Sequence, residues 1–288
     1  MKHSIDHLPQ IKKDELQILI SVIRKNCHDV EKIILFGSYA RGDYKEAKDL
    51  KSDRKSGHVS DYDILVVTAK KETALDTMLW DKISKLCNKG KALMPFRIIR
   101  HDIEELNIKL AEGQYFYSDI KKEGILLYDT KKFKLAKKRK LTPKEKQRIA
   151  QDYFDSWFTS AVGFYDGYKD AIKRGNSKKS AFELHQAAEA SYKTILLVFS
   201  NYSPDDHYLS NLGRSAAKKH SGFKNIFLKN TKKQKDRFEL LELAYIGARY
   251  DPKYQISTED LVILAKSVKK LLDLTKKICE QKIINLLS

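Results

Sequence analysis

Residues 33–43 read IILFGSYARGD, and after a charged insert residues 60–67 read SDYDILVV. The first stretch is an apolar run, Lys32–Phe36, ended by Gly37, which reads as a strand stopping where glycine lets the backbone approach a ligand closely. The second runs Ile64, Leu65, Val66, Val67 without interruption, the pattern of a strand, Asp63–Thr68, buried on both faces. Ser38 adds a hydroxyl and an N–H, and Arg41 a cation, so Gly37, Ser38 and Arg41 are candidates to cradle phosphates at a strand end. Asp61 and Asp63 lie two apart, and period-2 alternation puts both carboxylates on one face with Tyr62 on the other. Adjacent carboxylates repel unless a divalent cation screens them. Magnesium with phosphate oxygens is their natural occupant. Each piece has a plainer reading alone: a Gly-Ser turn is common, and Asp-x-Asp often marks a solvated strand edge. It is their order along the chain that points to a site.

Working outward, apolar Leu16, Leu19, Ile20 and Ile23 recur at helical spacing within Lys12–Asn26. Helical pattern returns over Thr73–Lys89, a strand over Phe96–Arg100, a short helix over Ile103–Ala111 and a last strand over Ile125–Tyr128. Strands separated by helices predict an α/β or α+β domain. The sequence LTPKEKQRIA then marks a boundary: Thr142 reads as N-cap, Pro143 as the first helical residue and Glu145 as the partner of a capping box. Beyond it only helical periodicity is found. A long first helix carries Ile149, Tyr153, Trp157, Phe164, Tyr168 and Ile172 and ends at Gly175 and Asn176. Further helices are expected over Lys179–Phe199, Leu209–Lys219 and Gln234–Tyr250. The last is capped by Ser257, with Glu259 and Asp260 in its first turn and Leu261, Leu264, Val268, Leu272 and Ile283 on its apolar face. Short connections predict an all-α up-down helical bundle. The expected division is residues 1–130, a basic linker 131–141, and 142–288.

The 288 residues carry 56 Lys and Arg against 38 Asp and Glu, a formal charge of +18. About +9 falls on each side of Leu141, and about +7 of the first half comes from Lys131–Lys140 alone. Such a run is either solvated or a polyanion contact. Fifteen Tyr and 12 Phe argue against disorder. No apolar run approaches the ~20 residues of a membrane span, so no membrane partner is expected. MKHSIDHLPQ has no apolar stretch behind its Lys and does not read as a secretory signal. Cys27, Cys87 and Cys279 give neither a disulfide framework nor a zinc pattern, which suits a cytoplasmic protein.

The Gly-Ser turn after an apolar strand, followed by Ser-Asp-x-Asp leading into a second one, resembles the polymerase-β nucleotidyltransferase superfamily, particularly its minimal members, over Lys12–Tyr128. The resemblance implies that Gly37 and Ser38 bind a nucleoside triphosphate, ATP or another. It also implies that Asp61 and Asp63 hold two Mg²⁺ ions, and that a nucleotidyl group is transferred with release of pyrophosphate. Two departures stand out. Ser38 and Asp61 are about twice as far apart as in the minimal members, and the extra residues, Asp43–His58, are expected to form a hairpin or flap. The family's third carboxylate is also missing: the strand reads PFRIIRHD, with Arg97 where the acid aligns, and Arg is no base at neutral pH. Asp102 follows, at an expected helix N-cap. Arg97 is free to pair with Asp61, Asp63 or a triphosphate.

The helical half, residues 142–288, resembles a HEPN domain (higher eukaryotes and prokaryotes nucleotide-binding), chiefly by its place after the transferase half. His185, Glu189 and Lys193 fall at i, i+4, i+8, read as a polar face at a helix–helix seam. The family's ribonucleases use an Arg followed four to six positions on by a His. Here Arg249 is followed by Tyr250 and Tyr254, and no histidine occurs after His220. Arg249, Tyr250 and Tyr254 are therefore candidates for nucleotide binding, for a homodimer interface through the bundle, or for accepting a nucleotidyl group on a tyrosine hydroxyl. The leading expectation is a magnesium-dependent transferase acting on a protein, RNA or small-molecule hydroxyl, which the bundle presents or constitutes. The alternatives are a nucleotide-sensing module without turnover, and a ribonuclease toxin fused to its antitoxin.

Overall fold

The computed structural model describes residues 1–46, 49, 59–88, 95–204 and 206–287. Most of the Asp43–His58 insert, and with it the expected hairpin or flap, lies outside the described residues. The chain divides into two compact units, Met1–Lys140 and Leu141–Ser288.

The first unit is a mixed four-stranded sheet clothed by helices. In chain order its elements are α1 (Gln10–Asn26), β1 (Val30–Phe36), α2 (Gly37–Arg41), β2 (Tyr62–Thr68), α3 (Lys71–Leu75), α4 (Thr77–Asn88), β3 (Phe96–Asp102), α5 (Ile103–Ala111), α6 (Tyr115–Glu123) and β4 (Ile125–Asp129). The sheet order is β3-β2-β1-β4. β1 runs antiparallel to β2 and β4, and β2 runs parallel to β3. The unbroken apolar runs of β1 and β2 feed two cores at once, because alternate residues point to opposite faces. Ile33, Leu35, Ile64 and Val66 pack with Leu16, Ile23, Trp80 and Ile83 on one side. Ile34, Phe36, Leu65 and Val67 pack with Ile103, Leu106, Leu110 and Ile120 on the other.

The single helix expected over Thr73–Lys89 is two helices, broken at Asp76. Asp76 is extended, and its carboxylate accepts the Leu79 amide at 3.0 Å, so it starts α4 instead of continuing α3. Lys89 lies outside the described residues. The Trp80 indole N–H donates to the Thr73 carbonyl at 2.8 Å and ties the two pieces together. β3 runs two residues past the expected Arg100, since its parallel register with β2 continues to Thr68 opposite Asp102. Asp102 then caps α5 by accepting from the Glu105 amide at 2.9 Å. Helix α6 has no counterpart in the sequence reading: only Ile120 is buried in it, too little periodicity to announce a helix. Lys131–Lys140 has no regular structure yet is fastened to this unit. The Asn107 side chain bonds both Lys134 O and the Ala136 amide, and the Arg139 amide donates to Ala111 O.

The second unit is all helical: α7 (Pro143–Lys173), α8 (Ser177–Ser200), α9 (Leu209–Ala217), a 3₁₀ turn at Ser221–Phe223, α10 (Lys232–Tyr250) and α11 (Thr258–Ile284). Thr142 and Glu145 form the capping box that starts α7. Ser257 caps α11 by accepting from the Asp260 amide. Helix α8 is central: 16 of its 24 residues are buried, and α7, α9, α10 and α11 all pack on it. Its many alanines (Ala181, Ala187, Ala188, Ala190) let neighbouring helices come close. Among the described residues no helix is long and apolar enough to cross a membrane.

The packing makes a contrast measurable in urea unfolding. Leu184→Ala, at a fully buried position of α8, is expected to cost about 2–5 kcal/mol through reduced burial and a cavity. Leu243→Ala, at a position 55% exposed on α10, is expected to stay within about 0.5 kcal/mol.

Candidate functional site

Strand β1 stops at Phe36 because Gly37 takes a left-handed φ of +72°, which turns the chain into the short helix α2. Gly42, at φ +91°, ends that helix, and the Gly42 and Asp43 amides both donate to Ser38 O (2.8 and 3.1 Å). An aromatic cluster fixes the turn from behind. Buried Tyr39 stacks on Tyr44 at 4.3 Å and leans on Tyr62 at 4.4 Å between ring centroids. The Tyr62 hydroxyl donates to Glu15 at 2.5 Å, and burial pushes its pKa up. With Tyr62 committed to the core, the residues on either side of it, Asp61 and Asp63, are left half-buried.

Asp63 sits opposite Phe36 on β1 and Arg97 on β3. Its carboxylate lies directly against Gly37: a Cβ built on Gly37 would collide with Oδ2 and stand 3.2 Å from Cγ. Arg97 donates from Nε (3.0 Å) and Nη2 (2.7 Å), both to Asp63 Oδ1. Burial pushes the Asp63 pKa up, Arg97 opposes that shift, and the charge of Asp61 adds to it. Asp61 is thus close enough to be felt electrostatically, and the structure brings the two carboxylates, Gly37 and Arg97 to one end of the sheet. Ser38 follows Gly37 as the second residue of α2, while Arg41, at its far end, pairs with Asp43 at 3.2 Å. A cleft of about 570 Å³ opens beyond Arg41, lined by His7, Gly42, Tyr44 and Glu46 among others. Another of about 590 Å³ lies between α4 and the face of β3 that carries Phe96, Ile98 and Arg100, opposite to Arg97. Among the described residues no group of three or more His, Cys, Asp or Glu side chains is arranged to hold a metal ion.

In the helical unit the three sequence candidates part company. Arg249 is exposed, with its guanidinium carbon 5.0, 4.7 and 4.9 Å from the ring centroids of Phe182, Tyr245 and Tyr250. Tyr250 is 40% exposed. Tyr254 is in the core: its hydroxyl donates to Leu240 O at 2.9 Å, its ring covers Gly247, and burial pushes its pKa up.

His185, Glu189 and Lys193 do lie at a helix seam, and they are buried there. The cluster has a further member that no sequence spacing announced, His207, from the segment between α8 and α9. Glu189 Oε1 accepts from Lys193 Nζ at 2.8 Å and pairs with His207 Nδ1 at 2.9 Å. Gln186 donates to Glu189 Oε2 at 3.1 Å. His185 Nε2 donates to His207 O at 3.1 Å, and the His207 ring stacks on Tyr245 at 4.2 Å. Burial drives the Glu189 pKa up, but His207 and Lys193 outweigh it and hold the carboxyl at about 2. Burial pulls His185 down to about 4, so it is neutral. A cleft of about 280 Å³ beside Glu189 is lined by Trp157, Phe164, Ser156 and Ser160.

Comparison with known proteins finds two family matches. Residues 17–133 match the family described as polymerase beta, nucleotidyltransferase, and residues 154–279 match the HEPN domain. Among solved structures the chain is similar to a nucleotidyltransferase-like protein from Exiguobacterium sibiricum 255-15. The identity is 12% over 89% of this chain and 77% of the other, with a TM-score of 0.34, too slight a likeness to bear on function. No curated protein sequence matches the chain.

The buried cluster makes the helical unit acid-sensitive. An unfolded chain protonates His185 near 6.5 and Glu189 near 4.5, whereas the folded one waits until about 4 and about 2. The unfolded state therefore binds more protons through both windows, and stability falls as pH drops. Urea midpoints are expected to decline from about pH 6.5 downward, and His185→Gln is expected to flatten the part above about pH 4. A midpoint that rises on acidification contradicts this assignment.

Proposed function

Because the chain joins a domain of the polymerase beta nucleotidyltransferase family to a HEPN domain, we propose that it transfers a nucleotidyl group from a nucleoside triphosphate, most readily ATP, to a hydroxyl acceptor on a protein, an RNA or a small molecule. The observation that carries this reading is the seating of the Asp63 carboxylate over Gly37, next to Asp61, at the end of two central strands buried on both faces. Gly37 and Ser38 would meet the phosphates through backbone N–H groups and the Ser38 hydroxyl, with Arg41 adding positive charge. Asp61 and Asp63 would hold magnesium. The donor set fits a hard cation: two neighbouring carboxylates, with the Asp63 pKa raised by burial and further by the charge of Asp61, and an Oδ2 oxygen for which the missing Cβ of Gly37 leaves room. When bound, the metal would supply charge stabilisation at the attacking and leaving oxygens.

In the transfer, the acceptor oxygen bonds to the α-phosphorus, the bond to the bridging oxygen breaks, and pyrophosphate leaves with the electron pair. Arg97 orients the Asp63 carboxylate and opposes the rise in its pKa, but it takes no proton. The proton of the acceptor hydroxyl must go to another group or to water. Of the two tyrosines beside Arg249 that are acceptor candidates, Tyr250 is the exposed one, since the Tyr254 hydroxyl is buried and already donated. Arg97 in place of a third carboxylate also favours a second reading, a module that binds nucleoside triphosphate without turnover.

Incubation with α-labelled nucleoside triphosphates and magnesium, in the presence of RNA and hydroxylated small molecules, tests both. Transfer is expected, and Asp61→Asn or Asp63→Asn should lower it roughly 100-fold or more. Self-labelling that disappears in Tyr250→Phe and persists in Tyr254→Phe would assign the acceptor. Calorimetric nucleotide binding with no transfer would select the sensing reading. Transfer undiminished in both Asn variants would remove the carboxylates from the site.

A further inference from the structure

From Arg214 to Lys235 the sequence holds eight Lys and Arg residues and no Asp or Glu. All eight are exposed. They span the end of α9, the 3₁₀ turn, the following loop and the start of α10, and the fold brings Arg214, Lys224 and Lys229 around one cleft. Phe223, Ile226 and Phe238 are buried and anchor the loop in the helical core, so the cations ride on a pinned scaffold and not on a tail. Within the patch is a cleft of about 180 Å³, rimmed by Arg214, Lys224 and Lys229 and floored by Phe227 and Gly213. The Lys229 ammonium lies 3.4 Å above the Phe238 ring centroid, and burial lowers its pKa.

Of the neighbouring carboxylates, Asp236 and Glu239 on α10 are exposed, while Glu242 and Asp260 are committed. Glu242 accepts from the Ser210 amide and hydroxyl at 2.9 and 2.7 Å. Asp260 accepts from Arg237 at 2.7 Å, and Glu259 meets Lys233 at 3.7 Å, which marks one edge of the patch. Like charges crowded on a rigid surface raise the free energy of the fold unless an anion relieves them.

We propose that this face of the helical unit binds the phosphodiester backbone of a nucleic acid, with a phosphate seated in the cleft between Arg214, Lys224 and Lys229. A concave seat with an apolar floor fits a sugar–phosphate unit, whereas a flat anionic membrane does not enter it. Extended spacing of cations along a run of more than twenty residues suits a polyanion more than a single small anion. The inference does not rest on nucleotidyl transfer: its test needs neither triphosphate nor metal, so the two fail separately.

The test is fluorescence anisotropy of labelled single-stranded RNA, single-stranded DNA and duplex against the full chain, from about 50 to about 200 mM salt. Binding by at least one of the three is expected, with log affinity falling steeply and linearly against log salt; which one binds tightest identifies the source. R214Q/K224Q/K229Q should weaken binding about tenfold or more and shallow the single-strand slope by about 0.7 for each phosphate no longer neutralised. K266Q/K276Q/K277Q removes the same charge from exposed sites on α11 and should stay within about threefold. Circular dichroism checks the fold of both variants, and Lys224→Gln alone, read by its salt slope, serves if the triple variant unfolds. Equal weakening in the α11 control, flat salt dependence, no binding, or equal binding of polyglutamate or anionic vesicles would overturn the proposal.

Discussion

The carboxylate of Asp63 occupies the space that a side chain at residue 37 would need. This single exclusion links the first unit's sheet to its turn. It excludes a side chain after β1, and the φ of +72° that swings the chain into α2 favours the same glycine. The carboxylates in turn depend on β2 being buried on both faces. A strand with a wet face could slip by one residue and turn Asp63 inward, but here a slip would expose one apolar set and bury charge. The aromatic cluster of Tyr39, Tyr44 and Tyr62 closes the other side, so the end of the sheet is rigid where the acids stand.

Arg97 fits the same logic from the next strand. In parallel register with Asp63, it places a guanidinium within bidentate reach of one carboxylate oxygen. The pair is partly exposed on the Arg side, so its Coulomb energy is modest. Its effect is on orientation and ionisation: it opposes the rise in pKa that burial and Asp61 impose. Asp63 is therefore paired with a cation from the position at which the resemblance leads one to expect a further negative charge.

The helical unit is organised around a different electrostatic constraint. A carboxylate placed inside a bundle is costly unless paired and hydrogen-bonded. Glu189 meets that condition with Lys193, His207 and Gln186, and the arrangement draws the segment carrying His207 onto α8 and against Tyr245 on α10. The excess positive charge of this unit is distributed elsewhere, with the acid-free stretch ahead of α10 as its most concentrated part.

Local chemistry determined a good deal of this protein. The apolar runs of β1 and β2, the Thr142 and Ser257 caps, the boundaries of α5 and the near-complete extent of the long helices follow from periodicity and capping, which act over a few residues. The order Gly37-Ser38 then Asp61-x-Asp63 picked out residues that lie together at one end of the sheet. What escaped the sequence is partly local competition that periodicity does not show and partly contact between residues distant along the chain. Asp76 breaks a helix because its carboxylate finds the Leu79 amide and Trp80 reaches back to Thr73. Helix α6 is held by packing on the sheet with too few buried residues to show a period. His207 joins Glu189 across 18 residues, Arg97 pairs with Asp63 out of the three partners open to it, and Tyr254 is buried while its near neighbour Tyr250 is exposed. Residue types and spacings determine which groups are available and which faces are apolar. Which charges meet, and which hydroxyls still face water, is decided by tertiary structure, because burial and ion pairing depend on distances in space that one-dimensional order does not encode.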